Sequence, residues 1–175
     1  MEPTVYLMRG LPSCGKSYTA KRLAGAQGVV CETDDYFYTQ VGDDPARYDY
    51  RNDLLPDARA WNYGKYQQAL SAGITPIIVD RGNSLSLESQ RYARLAADNG
   101  YRVMLAEPES PWWQEIRVLL KYRRYTLPVL WRWADKLAEM SRRGHRVPVA
   151  TIRRRMERWK HDLSVEDILA FRSSP

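Results

Sequence analysis

Along the first 107 residues, apolar positions gather in short bursts separated by amphipathic stretches. "TVYLMR", Thr4 to Arg9, is rich in strand formers and reads as a buried strand. "KSYTAKRLAG" follows after a loop and reads as a helix, with Tyr18, Leu23 and Ala24 inward and Lys21 and Arg22 outward. Gly25 and Gly28 close it. "VVCET", Val29 to Thr33, is a second strand. The span from Tyr36 to Asn52 is polar, aromatic and punctuated by Gly and Pro, so it reads as a loop over a site. Asp53 to Ala72 has helical spacing, with Pro56 tolerable in the first turn. "PIIVD", Pro76 to Asp80, is a third strand that ends in a carboxylate. Leu85 to Asn99 is a helix closed by Gly100, and "YRVMLAE", Tyr101 to Glu107, is a fourth strand.

Strand and helix alternate through short links. That order predicts an α/β fold, a parallel sheet flanked by helices of the P-loop NTPase or kinase kind. Parallel strands point one way, so the ends after Arg9, at Asp34 and at Asp80 are expected on one edge, where ligands bind. From Trp112 onward the chain turns helical, basic and Trp-rich. Pro128 and the stretch from Gly144 to Pro148 are expected to break it. Pro148 to Asp162 reads as a helix, and Ser164 opens a short capped one. Residues 1–175 read as one domain, with a helical, basic lid over about 111–147. In "LWRWADKLAEM", Leu130, Trp133, Leu137 and Met140 lie at packed-helix spacing. Stacking of Trp131 and Trp133 on nucleobases is the alternative.

Charge sharpens the second half. The net charge is +6, and about half of the Lys and Arg lie between Arg117 and Lys160, opposed there only by Asp135, Glu139 and Glu157. Solvated helix faces are one reading, and a surface facing phosphate is the other. No apolar run reaches membrane-spanning length, and "MEPTVYLMRG" lacks the pattern of a signal peptide. Cys14 and Cys31 form no CxxC pair, so a reducing cytoplasm is expected.

The chemistry begins at Gly10 to Ser17, which spell G-x-x-x-x-G-K-S between a predicted strand and a predicted helix. This is a phosphate-binding loop. Gly10, Leu11, Pro12, Ser13, Cys14, Gly15, Lys16, Ser17 and Tyr18 are the candidate nucleotide-binding residues. Backbone N–H groups face the phosphates, Lys16 neutralises them, and the Ser17 hydroxyl holds Mg²⁺. ATP and Mg²⁺ are the expected cofactors. "TDDYF" places Asp34 and Asp35 after the second strand, across from the γ-phosphate. A carboxylate there can take the proton of an alcohol acceptor, whereas a turn or helix cap is the plain alternative. No guanine-specifying NKxD motif is present. Asp80 is a candidate for the metal's water shell or for bracing Ser17. Arg142, Arg143, His145 and Arg146 fall between helices, where a basic segment can close over a nucleotide.

Taken in order, "RGLPSCGKS", "TDDYF", "ARAWN" (Ala58 to Asn62), "PIIVDRGN", "YRVMLAEPESPWW" and "RRGHRVPVATIRRRMERW" resemble the polynucleotide-kinase-like P-loop family. The likeness is nearest to its small kinase-like domains of the Nedd-four-binding-protein-two-like type. The resemblance implies an ATP-dependent phosphotransferase with Lys16, Asp34 as general base and a lid arginine at Arg142. It also implies a polynucleotide 5′-hydroxyl as acceptor. Three positions depart from the pattern. Phe37 stands where viral members carry a phosphate-gripping Arg, so Phe37 is expected to stack on a base or line a pocket. "DRGN" in place of "DNTN" puts Arg81 beside the cleft as a substitute grip, with Asp35 nearby. The lid reads R-R-x-H-R-V instead of R-N-x-H-G-V. Two alternatives stand beside a polynucleotide kinase: a small-molecule kinase, and an ATP-binding nucleic-acid adaptor without catalysis.

Overall fold

The computed structural model describes residues 2–39 and 48–173. Four strands form its sheet: β1 (Thr4–Met8), β2 (Val29–Cys31), β3 (Ile77–Val79) and β4 (Arg102–Ala106). All pairings are parallel and the order is β2-β3-β1-β4. Val5 pairs with Ile77 on one side and Val103 on the other. Central parallel strands are covered on both faces, which is why β3 is apolar throughout and β1 buries Val5, Leu7 and Met8. Side chains alternate accordingly. Val5, Leu7, Ile77 and Val79 enter one core, while Met8 and Ile78 enter another.

Helix α1 (Lys16–Ala24) covers the second of those faces through Ala20 and Ala24. A short α2 (Asp35–Thr39) follows β2. Helices α3 (Leu55–Ser71), α4 (Leu87–Asp98) and α8 (Val165–Ala170) cover the first face, with Tyr66 and Tyr92 fully buried there. The remaining helices, α5 (Pro111–Lys121), α6 (Arg123–Ser141) and α7 (Val149–Glu157), build a third core. Trp113, Ile116, Leu120, Leu130, Ala134, Leu137 and Ile152 are all buried in it, and Leu11 and Cys14 of the phosphate loop reach into it.

Several expectations shift. Tyr18 is 74% exposed, because α1 turns Thr19, Ala20 and Ala24 inward instead. The expected loop after Tyr36 contains α2, whose first turn closes through Phe37 N–H donating to Asp34 C=O at 3.1 Å. Residues 40–47 of that loop lie outside the described residues. Pro128 does not break the helix. It lies on the exposed side of α6 one turn in, where water can satisfy the carbonyl left without a donor. The break falls at Tyr122, where the Thr126 hydroxyl donates to Leu119 C=O (2.7 Å) across the junction. The inward stripe of α6 is Leu130, Ala134, Leu137 and Ser141, which leaves Met140 exposed. Helix α7 stops at Glu157, and Trp159 then turns inward to meet Trp113 edge to face at 5.2 Å.

Candidate active site

Connections from β1 and β3 leave the sheet in opposite directions, so a crevice opens at their carboxyl ends. The phosphate loop leaves β1 into it. Positive φ at Gly10 (148°), Ser13 (59°) and Gly15 (90°) curls the loop. A Cβ on Gly10 would sit 2.9 Å from Pro108, so both the backbone angle and the space demand glycine. Two of the loop's carbonyls are held from the start of α5. Ser110 Oγ donates to Cys14 C=O (2.8 Å) and Trp112 Nε1 to Ser13 C=O (3.0 Å). Ser110 also caps α5 by accepting from the Trp113 N–H at 3.2 Å. Cys14 is buried and its thiol is pushed up to about 12, so it packs and does not react.

Lys16 lies at the start of α1, and its Nζ donates to Gly10 C=O (3.2 Å) and Leu11 C=O (3.0 Å). Withdrawal from water lowers its pKa, and Asp80 opposes that shift. Asp80 is 5% exposed and follows β3, with its N–H bonded to Cys31 C=O at 3.0 Å. Burial raises its pKa; Lys16 and a hydrogen bond from the Ser17 hydroxyl counter this. Asp80 Oδ2 has no hydrogen-bond partner in its buried position. An orphaned carboxylate oxygen beside a serine hydroxyl is the donor set a hard divalent cation takes, so Ser17 and Asp80 fit magnesium. Asn83 fixes this edge by donating from Nδ2 to Met8 C=O (2.8 Å) and Val79 C=O (3.0 Å).

Asp34 stands at the end of β2, where both its oxygens are engaged. The Tyr48 hydroxyl donates to Oδ1 at 2.9 Å, and His145 Nδ1 lies 3.4 Å from Oδ2. Tyr48 and His145 also contact each other, with ring centroids 4.8 Å apart. Asp35 pairs with Lys65 at 3.5 Å and stays within electrostatic reach of Glu32 and Asp80. Glu32 joins the same acidic group. Burial, then Asp80, Asp35 and Asp34, push its carboxyl up to about 8. Arg155 of α7 lies over the cleft, with Nη1 3.9 Å from where a Gly82 side chain would begin. Partial desolvation lowers its pKa and Asp34 opposes that; Lys16 is within its electrostatic reach too.

The structure thus gathers Lys16, Ser17, Asp34 and Asp80 at one edge. It places three other expected residues elsewhere. Arg142 is 75% exposed and pairs with Glu139 at 3.1 Å, one turn back. Arg81 lies against α4, paired with Glu88 at 2.7 Å and 5.5 Å from the Tyr92 ring. Phe37 is fully buried and meets Tyr36, Tyr48 and Tyr50. Trp131 lies under Arg153 and Trp133 donates to Glu115 at 3.2 Å, so both tryptophans are engaged by the helices around them. Sequence reasoning passed over Glu32, Tyr48 and Arg155. Glu32 had a signal, since it stands two residues before Asp34 in a strand-ending acidic run. Tyr48 lies in the loop expected over a site and Arg155 in the last basic piece, but only the fold brings either to Asp34.

Among the described residues, no helix is long and apolar enough to cross a membrane. NEDD4-binding protein 2 of Homo sapiens is 36% identical over 110 residues, which cover 62% of this chain and 6% of that protein. YLP motif-containing protein 1 of Homo sapiens is 29% identical over 127 residues, covering 61% of this chain and 6% of that protein. The rat protein of that name matches at the same identity over 9% of its length. The chain therefore spans less than a tenth of the length of these curated relatives. The model of the AAA domain family (AAA_33) matches residues 5–126, from β1 through the phosphate loop and into α6. With a P-loop leaving the central strand of a parallel sheet, and that model covering more than half of its length, the chain belongs to the AAA domain family.

Proposed function

We propose that this P-loop domain is an ATP-dependent phosphotransferase that moves the γ-phosphoryl group to a hydroxyl. The observation that carries this reading is the placing of Asp34 on the same sheet edge as Lys16 and the Ser17–Asp80 pair. A pure nucleotide binder needs the loop, but it does not need a carboxylate opposite it. Lys16 would leave the loop carbonyls for the β- and γ-phosphates, and Asp34 would take the proton of the acceptor hydroxyl as its oxygen attacks phosphorus. Magnesium, when bound, neutralises phosphate charge next to Ser17 and Asp80. Arg155, beside Gly82 and within electrostatic reach of Asp34 and Lys16, would stabilise the developing charge.

The acceptor read as most consistent is a polynucleotide 5′-hydroxyl. Arg143 and Arg146 flank His145, and Arg153 to Arg155 continue the basic surface along α7, which suits a polyanion. A small-molecule acceptor is the second reading. One observation favours it: Arg81 is held by Glu88 and Phe37 is buried, so neither offers a grip on an acceptor phosphate. Incubation with γ-labelled ATP and panels of 5′-hydroxyl DNA, 5′-hydroxyl RNA and small alcohols decides between them. Label in oligonucleotides supports the first reading, label only in small alcohols the second, and label in none overturns both.

A further inference from the structure

An alcohol acceptor must place its O–H against the general base, and one hydroxyl of this chain already does so. Tyr48 donates to Asp34 Oδ1 at 2.9 Å. Its ring is held in that pose by Phe37 (5.9 Å), Tyr38 (5.1 Å) and His145 (4.8 Å). The contact is an acceptor's contact made by the protein itself. It rests on the kinase reading of the site, and we propose that Tyr48 is an internal phosphoryl acceptor, so that the protein phosphorylates itself there.

The step balances without any other reagent. The phenolic oxygen forms a bond to Pγ, the bond from Pγ to the β–γ bridging oxygen breaks, and ADP leaves with that electron pair. The phenolic proton passes to Asp34. Burial and the neighbouring Asp34 push the Tyr48 phenol above its ordinary range, so the hydroxyl keeps its proton and depends on that base. The product carries about −1.5 to −2 charges beside the Asp34 carboxylate. Arg155, within electrostatic reach of Asp34, is the cation placed to receive it, and the His145 ring lies against Tyr48. A phosphorylated Tyr48 would fill the place of an external acceptor and repel the base, so the modification would lower transfer to other hydroxyls.

The full chain is incubated with γ-labelled ATP and magnesium, and its peptides are mapped by mass spectrometry. The expected result is up to one phosphoryl group per chain on Tyr48, formed at a rate independent of protein concentration. Tyr48→Phe and Lys16→Ala should lose the label entirely, and Tyr50→Phe should keep it. The same preparation is assayed in parallel for ATP binding and for transfer to oligonucleotides and small alcohols. Transfer to an external acceptor with Tyr48 unlabelled overturns the proposal and leaves the kinase reading intact. Label on Tyr38 or Tyr50 in place of Tyr48 also overturns it. Intact ATP binding with no transfer to any acceptor overturns the kinase reading, and the proposal with it.

Discussion

His145 Nδ1 stands 3.4 Å from Asp34 Oδ2, which ties the turn between α6 and α7 to the end of β2 across 111 positions of sequence. A carboxylate held from two sides is fixed in direction, and direction matters more to a general base than its mere presence. Asp34→Asn is isosteric but takes no proton. It should lower turnover by about 10²–10⁴-fold with ATP affinity little changed. Asp35→Asn should be milder, since Asp35 points to Lys65. Steady-state kinetics on the acceptor identified above, with nucleotide titration alongside, checks both.

Lys16→Ala should abolish transfer while the fold survives. Its ammonium donates to loop carbonyls at 3.0 and 3.2 Å and opposes the charge of buried Asp80, so its removal relieves one buried charge and leaves the other without its partner. Thermal unfolding should stay cooperative, with a midpoint at or below the parent's because Asp80 loses its charge partner, while product formation falls to background. A mutant with parental turnover would take the loop out of the mechanism.

Arg155→Ala should cost more turnover than Arg142→Ala. Arginines that meet a transferring phosphoryl group are worth roughly 10³–10⁵ in turnover. Arg155 already lies over Gly82 within electrostatic reach of Asp34 and Lys16, whereas Arg142 is paired outward with Glu139. Comparing kcat and KM of the two variants tests the order. The reverse order would mean that the turn swings Arg142 inward when nucleotide binds.

Glu32 gives a pH signature. Its carboxyl is pushed from 4.5 up to about 8 in the folded chain. The folded state therefore holds a proton that the unfolded state has released between those values, and stability falls as pH rises through that window. Glu32→Gln removes the titration. At pH 9 the variant should be more stable than the parent by roughly 1–2 kcal/mol, less than the full shift because the site is only half-buried. Denaturant melts at pH 5 and pH 9 measure the difference, and an unchanged slope with pH would contradict it.

Trp113→Ala should destabilise the chain by about 3–5 kcal/mol. The side chain is fully buried, meets Trp159 and donates to Glu107 at 3.2 Å. Urea unfolding gives the value, and a loss under 1 kcal/mol would show that the helical core collapses into the gap.

The sheet was legible because its strands are continuous apolar runs with no competing period, and because each ends at a residue with chemistry. The loop was legible because a phosphate site made of backbone tolerates few substitutions. What hid was whatever depends on the direction of a side chain. "TDDYF" marks two acids but not that Asp35 pairs with Lys65, and "DRGN" marks an arginine but not Glu88 waiting on α4. Phe37 reads as a cleft residue in one dimension and is the floor of a tyrosine cluster in three. Pro128 reads as a break and is absorbed on an exposed helical turn.

The hydroxyl of Ser110 makes two bonds at once, donating to Cys14 C=O and accepting from Trp113 N–H. One atom is thus shared between the nucleotide loop and the helical half of the molecule. Leu11 and Cys14 extend the same joint into the core that ends at Trp159, and Arg9, just before the loop, donates to Lys160 C=O at 2.9 Å. Cutting the chain at residue 126, where the family match ends, would keep Ser110 and its two bonds but remove Leu130, Leu137, Ile152 and Trp159 from the core behind the loop, and Lys160 from Arg9. A piece of this chain that ends there should bind nucleotide more weakly than the whole chain, although every residue of the loop is present.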